Sequence, residues 1–133
     1  ISYLTIENPG PIPEEFRVAM GNRIYGCDDC QLACPWNKYA RVGAAPDFAP
    51  RNVWARAAPA VLSAWPEPES AARLEGSAIR RIGHERWLRN IAVALGNAPS
   101  TPAVLAALHA RAGHPSPLVR EHVAWALARH RGR

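Results

Sequence analysis

Three cysteines lie close together in the stretch GCDDCQLACPWN, which covers residues 26–37. Cys27, Cys30 and Cys34 follow the pattern Cys-x2-Cys-x3-Cys-Pro. In the bacterial two-cluster ferredoxin run, C-x2-C-x2-C-x3-C-P, the cysteine before proline ligates the other cluster. The spacing therefore favours iron–sulfur ligation that is divided, with Cys27 and Cys30 on one cluster and Cys34 on a second. Each cluster would need further cysteines from elsewhere.

Two other interpretations of the thiols stay open. A zinc ion takes four nitrogen or sulfur ligands, so one distant histidine would have to join the three cysteines. Alternatively, the thiols are structural and bind no metal. Between the thiols, Asp28 and Asp29 are expected to be solvated or helix-capping rather than catalytic, and Tyr25 and Trp36 are expected to shield the metal rather than stack on bases. The candidate histidine ligands are His84, His109, His114, His122 and His130.

Composition limits the protein class. An odd number of cysteines within eight positions suits a metal in a reducing compartment better than a disulfide framework, so we expect a cytoplasmic protein. The sequence has no apolar run of about 18 residues, so no membrane partner is expected. The 133 residues begin with Ile1 rather than methionine, which suggests a fragment of a longer protein.

Charge is divided unequally along the chain, whose net charge is +5. Residues 1–76 carry seven Lys or Arg against nine Asp or Glu, whereas residues 77–133 carry nine Arg against Glu85 and Glu121 alone. A basic half suits a polyanion such as nucleic acid. Arginines that only solvate helix faces would give the same composition.

Apolar spacing predicts a mainly helical chain. Short helices are expected from Pro13 to the stop at Gly21, near Pro59–Ala64 and near Glu67–Leu74, with a loop between the cysteines and Pro59. Three longer helices follow. Their apolar stripes are Leu88, Ile91, Ala92 and Leu95, closed by Gly96 and Asn97; then Val104, Leu105 and Leu108; then Val119, Val123, Ala126 and Leu127.

Local signals refine these helices. Ser100 and Ser116 stand shortly before Pro102 and Pro117 and are expected to be N-caps. The segments WLRNIAVALGN and LVREHVAWALAR are similar, with Arg89 and Arg120 in corresponding places 31 residues apart. This similarity suggests two helical hairpins of HEAT type that bury each other's apolar faces.

The segments ISYLTIE, IPEEFR and GNRIYGCDDCQLACPWNK together resemble the carboxyl-terminal half of the epoxyqueuosine reductase family. GSAIRRIGHERWLRNIAVALGN is similar to the entry of that family's helical repeats, so the resemblance covers essentially the whole chain. The family modifies tRNA in the queuosine pathway. The resemblance thus implies an oxidoreductase that reduces epoxyqueuosine to queuosine at the wobble position, using two 4Fe–4S clusters and cobalamin.

The resemblance also implies ligand sets. Cys27 and Cys30 would share a cluster with a cysteine directly before the ISYLTIE segment and with the pre-proline cysteine of an upstream CxxCxxCxxxCP run, and Cys34 would complete the other cluster. The catalytic acid and most of the cobalamin site are expected outside this sequence. Alone, the chain is therefore expected to be inactive.

The predicted fold is the distal half of a two-cluster ferredoxin-like module followed by a HEAT-like lobe. The expected bounds are 1–45 for the incomplete iron–sulfur segment, 46–76 for a linker with short helices and 77–133 for the lobe. Expected partners are tRNA and an electron donor, and the full-length parent is expected to be a monomer. The predicted tRNA-binding residues are Lys38, Arg41, Arg80, Arg81, Arg86 and Arg89.

Two alternatives from other functional classes remain. One is a ferredoxin-like electron-transfer subunit whose helical tail docks a partner and has no RNA role. The other is a zinc-stapled helical module that binds RNA without redox chemistry.

Overall fold

The computed structural model describes residues 1–41, 43 and 57–132. Within these residues the chain is mainly helical and contains no β-strand, as predicted. In the described part of the chain, two short 3-10 helices, Pro35–Tyr39 and Ala78–Ile82, accompany the α-helices. The α-helices of the described residues are α1 Ser2–Ile6, α2 Glu14–Met20, α3 Asp29–Leu32, α4 Pro59–Ala64, α5 Glu67–Arg73, α6 Gly83–Asn97, α7 Pro102–Arg111 and α8 Pro117–Arg131.

Helix α6 forms the centre of the fold. Every residue from 87 to 96 is buried, so α6 packs against neighbours on all sides. Its stripe of Leu88, Ile91 and Leu95 joins the larger hydrophobic core, to which α4, α7 and α8 contribute. Apolar spacing thus located the helix correctly. It described only one of its two buried faces.

The second face of α6 packs against the amino-terminal residues. Val93 lies in a smaller core with Ile12 and Met20, and all three are at most 1% exposed. Leu4 and Trp125 border this cluster. Residues 1–24 therefore pack directly on α6 and α8.

The short helices between the cysteines and α6 also belong to the packed body. Helices α4 and α5 coincide closely with the predicted bounds, and Leu62, Trp65 and Leu74 join the larger core. The predicted loop before Pro59 falls largely on residues 44–56, which lie outside the described residues. The three predicted domain bounds remain predictions.

The start of α7 differs from the expectation. Ser116 accepts a hydrogen bond from the Val119 amide and is an N-cap, as predicted. The prediction for Ser100 was wrong, because Thr101 caps α7 by accepting from the Val104 amide. Thr101 is the residue directly before Pro102, so it takes the position that an N-cap needs. The Ser100 hydroxyl instead lies 2.6 Å from His130 Nδ1.

The proposed pairing of Arg89 with Arg120 was also wrong. Arg89 is fully buried, whereas Arg120 is exposed and binds the carbonyl oxygens of His114 and Pro115. An offset of 32 residues instead places Asn90 and His122 in corresponding positions. Both side chains are fully buried, and both form hydrogen bonds with the backbone of residues 1–24. The HEAT-like character of the lobe itself stays a prediction.

Gly96 allows α6 and α8 to approach closely. A Cβ atom at this position would lie 2.6 Å from Cζ3 of Trp125 and 3.0 Å from the Cα atom of Ala126. The sequence indicates Gly96 only as a residue near the helix end. Its lack of a side chain is required by the neighbouring helix.

No helix among the described residues is long and apolar enough to cross a membrane.

Candidate metal centre

The cysteine segment is built from tight local turns. Gly26 and Asp28 have positive φ angles of 65° and 53°, which reverse the chain on either side of Cys27. Helix α3 then makes one turn that contains Cys30, and the backbone becomes extended at Cys34. Proline after Cys34 begins the following 3-10 helix, for which its fixed φ is suitable.

The three thiols are available as ligands. All are free cysteines; Cys27 and Cys34 are partly buried and Cys30 is exposed. Thiolates suit soft metal ions, and iron–sulfur clusters in particular. Among the described residues, however, no group of three or more His, Cys, Asp or Glu side chains could hold one metal ion. The donor set therefore fits a cluster only as a partial contribution.

Four of the five histidines considered as zinc ligands hydrogen-bond within this chain, and the fifth, His109, is exposed. His84 lies 3.1 Å from the Trp65 carbonyl oxygen, and His130 lies 3.0 Å from that of Leu95. His114 accepts from the Ser116 amide. His122 is fully buried and uses both ring nitrogens. These contacts give no support to a histidine completing a site at the cysteines.

One of the two aspartates between the thiols has a structural role. Asp29 forms an ion pair with Arg23 at 2.8 Å, and Arg23 also donates to the Met20 carbonyl oxygen. The pair ties α3 to the end of α2. Asp28 is the N-cap residue of α3 by position, although its side chain makes no capping hydrogen bond.

Apolar side chains beside the thiols are exposed. Leu32, Trp36 and Tyr39 are 77%, 73% and 65% exposed, and the Trp36 and Tyr39 rings have centroids 5.5 Å apart. Trp36 is therefore not covered within the described residues, whereas Tyr25 is partly buried and packs on the larger core. The shielding of a metal by these two rings stays a prediction. We call Leu32, Trp36 and Tyr39 the apolar patch.

The start of the cysteine segment is fastened to α1 and α6. The Gly26 amide donates to Thr5 Oγ1 at 2.9 Å. Asn90 of α6 donates to the carbonyl oxygens of both Thr5 and Ile24 at 2.8 Å. Asparagine is a poor residue for a helix interior, so its position in the middle of α6 was the available sequence signal for this role.

Two arginines predicted to bind tRNA instead bind this chain. Arg89 is 0% exposed and donates to the carbonyl oxygens of Leu4, Asn8 and Gly10, all within 2.8 Å. The expectation that Arg89 is free to reach phosphates was wrong, because the helix face opposite the apolar stripe is also buried. Arg86 is partly buried and donates to the Ile6 and Ile82 carbonyl oxygens.

Burial affects the protonation of this network. Burial, followed by the nearby Arg86 charge, lowers the pKa of Arg89 to about 10, so Arg89 is still cationic at neutral pH. Its guanidinium binds the Leu4 carbonyl oxygen in α1 and the Asn8 and Gly10 carbonyl oxygens beyond that helix. These charge-assisted hydrogen bonds stabilise the turn that follows α1.

A second group of contacts fastens α2 and the preceding loop. His122 Nε2 accepts from the Ile12 amide at 3.1 Å, and burial lowers the pKa of His122 to about 4. Arg17 is buried, binds the Ile12 carbonyl oxygen and pairs with Glu121 at 2.5 Å. Asn97 donates to the carbonyl oxygens of Arg17 and Gly21. We call Arg86, Arg89, Asn90, Asn97 and His122 the polar seam.

The other four predicted tRNA-binding residues are exposed. Lys38 lies 4.9 Å from the Tyr39 ring centroid. Arg80 lies 3.9 Å from Glu75, and Arg81 pairs with Glu7 at 2.5 Å. Arg41 is exposed at the end of the described part of the cysteine region. These side chains are accessible to a polyanion, and exposed ion pairs are weak enough to exchange partners.

Comparison with known proteins confirms the resemblance expected from the sequence. A protein-family model described as a 4Fe-4S double cluster binding domain matches residues 1–37. Epoxyqueuosine reductase of Pseudomonas aeruginosa is 61% identical over 130 residues, which are 98% of this chain and 36% of that protein. The Xanthomonas campestris protein of the same name is 62% identical, over 98% of this chain and 37% of its own length.

Solved structures agree with the sequence comparison. A structure of epoxyqueuosine reductase with an epoxyqueuosine-modified tRNA-Tyr stem loop matches 97% of this chain and 34% of its own, with a TM-score of 0.86 and 31% identity. A structure of epoxyqueuosine reductase from Bacillus subtilis has a TM-score of 0.83 at 31% identity, with the same coverage. The chain thus spans about one third of the length of the relatives it matches.

Proposed function

We propose that this chain is one part of an epoxyqueuosine reductase, an oxidoreductase that reduces epoxyqueuosine to queuosine in tRNA. The observation that carries the proposal is the similarity along almost the entire chain to proteins of that name. Because those relatives are about three times longer, the activity is proposed for the full-length parent. The chain alone is proposed to be inactive.

Within the parent, the cysteines are proposed to serve two 4Fe–4S clusters. Cys27 and Cys30 contribute to one cluster, Cys34 contributes to the other, and cysteines elsewhere in the parent complete both. The double-cluster family match over residues 1–37 supports two clusters, and the Cys-x2-Cys-x3-Cys-Pro spacing supports the division of the cysteines between them. Bound clusters of this kind supply single electrons.

The apolar patch is proposed to be covered by the rest of the cluster module. Its three side chains are large and mostly exposed, they lie close to the cysteines in sequence, and the Trp36 and Tyr39 rings are 5.5 Å apart. Exposed apolar surface of this kind commonly marks an interface. The missing ligands must approach from outside this chain, so the parent has to bring other residues to this side.

The domain organisation follows from the same proposal. Residues 1–45 form the distal half of a ferredoxin-like module, residues 46–76 are a linker with short helices, and residues 77–133 form a HEAT-like lobe. The relation of Asn90 to His122 across 32 residues supports a repeat.

Lys38, Arg41, Arg80 and Arg81 are proposed to bind tRNA phosphates. Their exposure supports this role, and a related structure contains a tRNA stem loop. Arg86 and Arg89 are left out, because carbonyl oxygens of this chain already occupy their guanidinium groups.

Several features of the parent are proposed from the family resemblance alone. These are cobalamin as a second cofactor, an electron donor as partner, a monomeric state and a cytoplasmic location. No residue of this chain is assigned to cobalamin or to the catalytic acid. An odd number of closely spaced cysteines suits a reducing compartment.

Anaerobic reconstitution of the parent with iron and sulfide, followed by a turnover assay on epoxyqueuosine-containing tRNA, tests the proposal. We expect cluster absorbance and formation of queuosine. Failure to develop cluster absorbance would favour the zinc-stapled module. Clusters without any binding of tRNA at low salt would favour the electron-transfer subunit.

The tRNA surface has its own test in the same parent. Arg80→Ala should weaken tRNA binding and reduce the slope of log affinity against log salt by about one. Arg120→Ala is the matched control, because Arg120 is exposed but donates to the backbone of its own turn. Equal slopes for wild type and Arg80→Ala would remove Arg80 from the proposed surface.

A further inference from the structure

One buried hydroxyl joins the beginning of the described chain to the cysteine segment. Thr5 is 0% exposed. Its hydroxyl donates towards two carbonyl oxygens. Its Oγ1 atom lies 3.0 Å from the Ile1 carbonyl oxygen and 3.1 Å from the Ser2 carbonyl oxygen. The same oxygen accepts the Gly26 amide proton at 2.9 Å. A single side chain therefore fixes the first turn of α1 relative to the residue that precedes Cys27.

Helix α6 holds this junction in place. Asn90 donates to the carbonyl oxygens of Thr5 and Ile24, which lie on either side of the junction. Asn90 Oδ1 accepts from Arg89 at 3.0 Å, which fixes the orientation of the amide. The hydroxyl of Thr5 thus lies in a buried network whose partners are all within the chain.

We propose that Thr5 is a positioning residue for the iron–sulfur cluster that Cys27 and Cys30 contribute to. The inference rests on the function proposed above, and it adds a residue that ligates no metal. By accepting a hydrogen bond from the Gly26 amide, Thr5 sets the orientation of the peptide between Tyr25 and Gly26, one residue before Cys27. Groups that orient metal ligands tune both the affinity of a site and its potential.

The geometry explains why the hydroxyl, rather than the shape of the side chain, is needed. Valine has nearly the same shape as threonine, but it cannot accept the Gly26 amide proton. The partly buried amide between Tyr25 and Gly26 would then lose its hydrogen-bond acceptor or would turn towards another one. Serine retains the oxygen and should retain the orientation.

The test compares Thr5→Val and Thr5→Ser in the full-length parent with reconstituted clusters. For Thr5→Val we expect iron loss from the Cys27 and Cys30 cluster to a chelator to be about tenfold faster, with a shifted reduction potential. The Cys34 cluster should keep its potential. Thr5→Ser should match the wild type in both measurements.

Reference variants assign the signals. Cys30→Ser and Cys34→Ser identify which spectroscopic signal belongs to which cluster. If wild-type parent forms no cluster at all, the proposed function fails. If both clusters form and Thr5→Val leaves them unchanged, or alters both equally, the role of Thr5 is overturned while the proposed function stands.

A second variant covers the case in which Thr5→Val does not fold. Asn90→Asp keeps the acceptor for Arg89 but removes the donors to the Thr5 and Ile24 carbonyl oxygens. We expect it to accelerate iron loss from the same cluster alone. An unchanged rate for Asn90→Asp, or equal acceleration for both clusters, would overturn the inference.

Discussion

Residues 1–26 and residues 27–41 adjoin each other in sequence but are held in different ways. The first region packs Ile12 and Met20 against α6 and α8, and the polar seam binds its carbonyl and amide groups. The described contacts of the second region are mainly local turns and one ion pair between Arg23 and Asp29. Of its cysteines, Cys30 is exposed and Cys27 and Cys34 are partly buried, and its largest apolar side chains are exposed.

The comparison of the two regions distinguishes polar groups that hold the fold together from polar groups that remain accessible. Where the chain satisfies its own polar atoms, even an arginine such as Arg89 acts as part of the core. Where thiols and apolar surface remain uncovered, we have proposed that other parts of the parent complete them. Position in the fold, rather than residue type, therefore decides which polar residues remain accessible.

The largest expected effect tests whether Arg89 belongs to the core. Arg89→Met removes donors from the Leu4, Asn8 and Gly10 carbonyl oxygens and should lower the free energy of unfolding by about 3 to 5 kcal/mol. Urea unfolding of the chain measures this. Arg80→Ala is the control and should cost less than about 0.5 kcal/mol, because Arg80 is exposed. Similar losses for both variants would contradict the distinction.

The next largest effect is the dependence of stability on pH that arises from His122 of α8, which accepts a hydrogen bond from the Ile12 amide. Because the pKa of His122 is lowered to about 4 in the folded chain, the unfolded chain takes up the proton first as pH falls from about 6.5. The contribution of His122 to the free energy of unfolding is therefore fully present above pH 6.5. It falls by about 3 kcal/mol as the pH is lowered towards 4. Unfolding measured across this range should show the loss.

The matched variants for this pH dependence are His122→Gln and His109→Gln. His109 is exposed, so its replacement should leave the pH profile unchanged. His122→Gln should be less stable at neutral pH and should lack most of the slope between pH 6.5 and 4. A wild-type slope in that variant would assign the pH dependence to other groups.

A smaller effect probes the approach of the two helices that carry the polar seam. Gly96→Ala would place Cβ against Trp125 and the backbone of Ala126, and should cost about 1 to 3 kcal/mol. Gly113→Ala has open space around the added atom and serves as the control. Thermal unfolding that ranked the two variants equally would argue against a close approach at Gly96.

The smallest effect on this chain is expected in the apolar patch. Trp36→Ser should change the free energy of unfolding of the chain by less than about 0.5 kcal/mol, since its side chain is 73% exposed. In the parent, where the patch is proposed to be covered, the same substitution should accelerate iron loss. A large destabilisation of the isolated chain would mean that the patch packs within it.

Much of the fold followed from apolar periodicity and helix-end signals. The stripe of Leu88, Ile91 and Leu95 located α6, and Pro13 with Gly21 located α2. Periodicity could not show that α6 has a second buried face, because Arg86, Arg89 and Asn90 have the composition of a solvated surface. Their carbonyl partners lie about 80 residues away in sequence, and nothing local indicates them.

The candidate metal centre was predictable only in part. The spacing of the cysteines and their flanks indicated iron–sulfur chemistry, and the double-cluster family match over residues 1–37 supports it. The role of Thr5 could not be predicted, because one threonine in a short helix gives no signal of a contact with Gly26. Likewise, the exposure of Trp36 depends on which parts of the parent cover it.

The division of the three cysteines between two clusters is the central claim. It is tested most directly by electron paramagnetic resonance spectra of the reduced parent carrying either Cys30→Ser or Cys34→Ser. We predict that each variant loses or alters a different one of two cluster signals. Loss of the same signal in both variants would contradict the account.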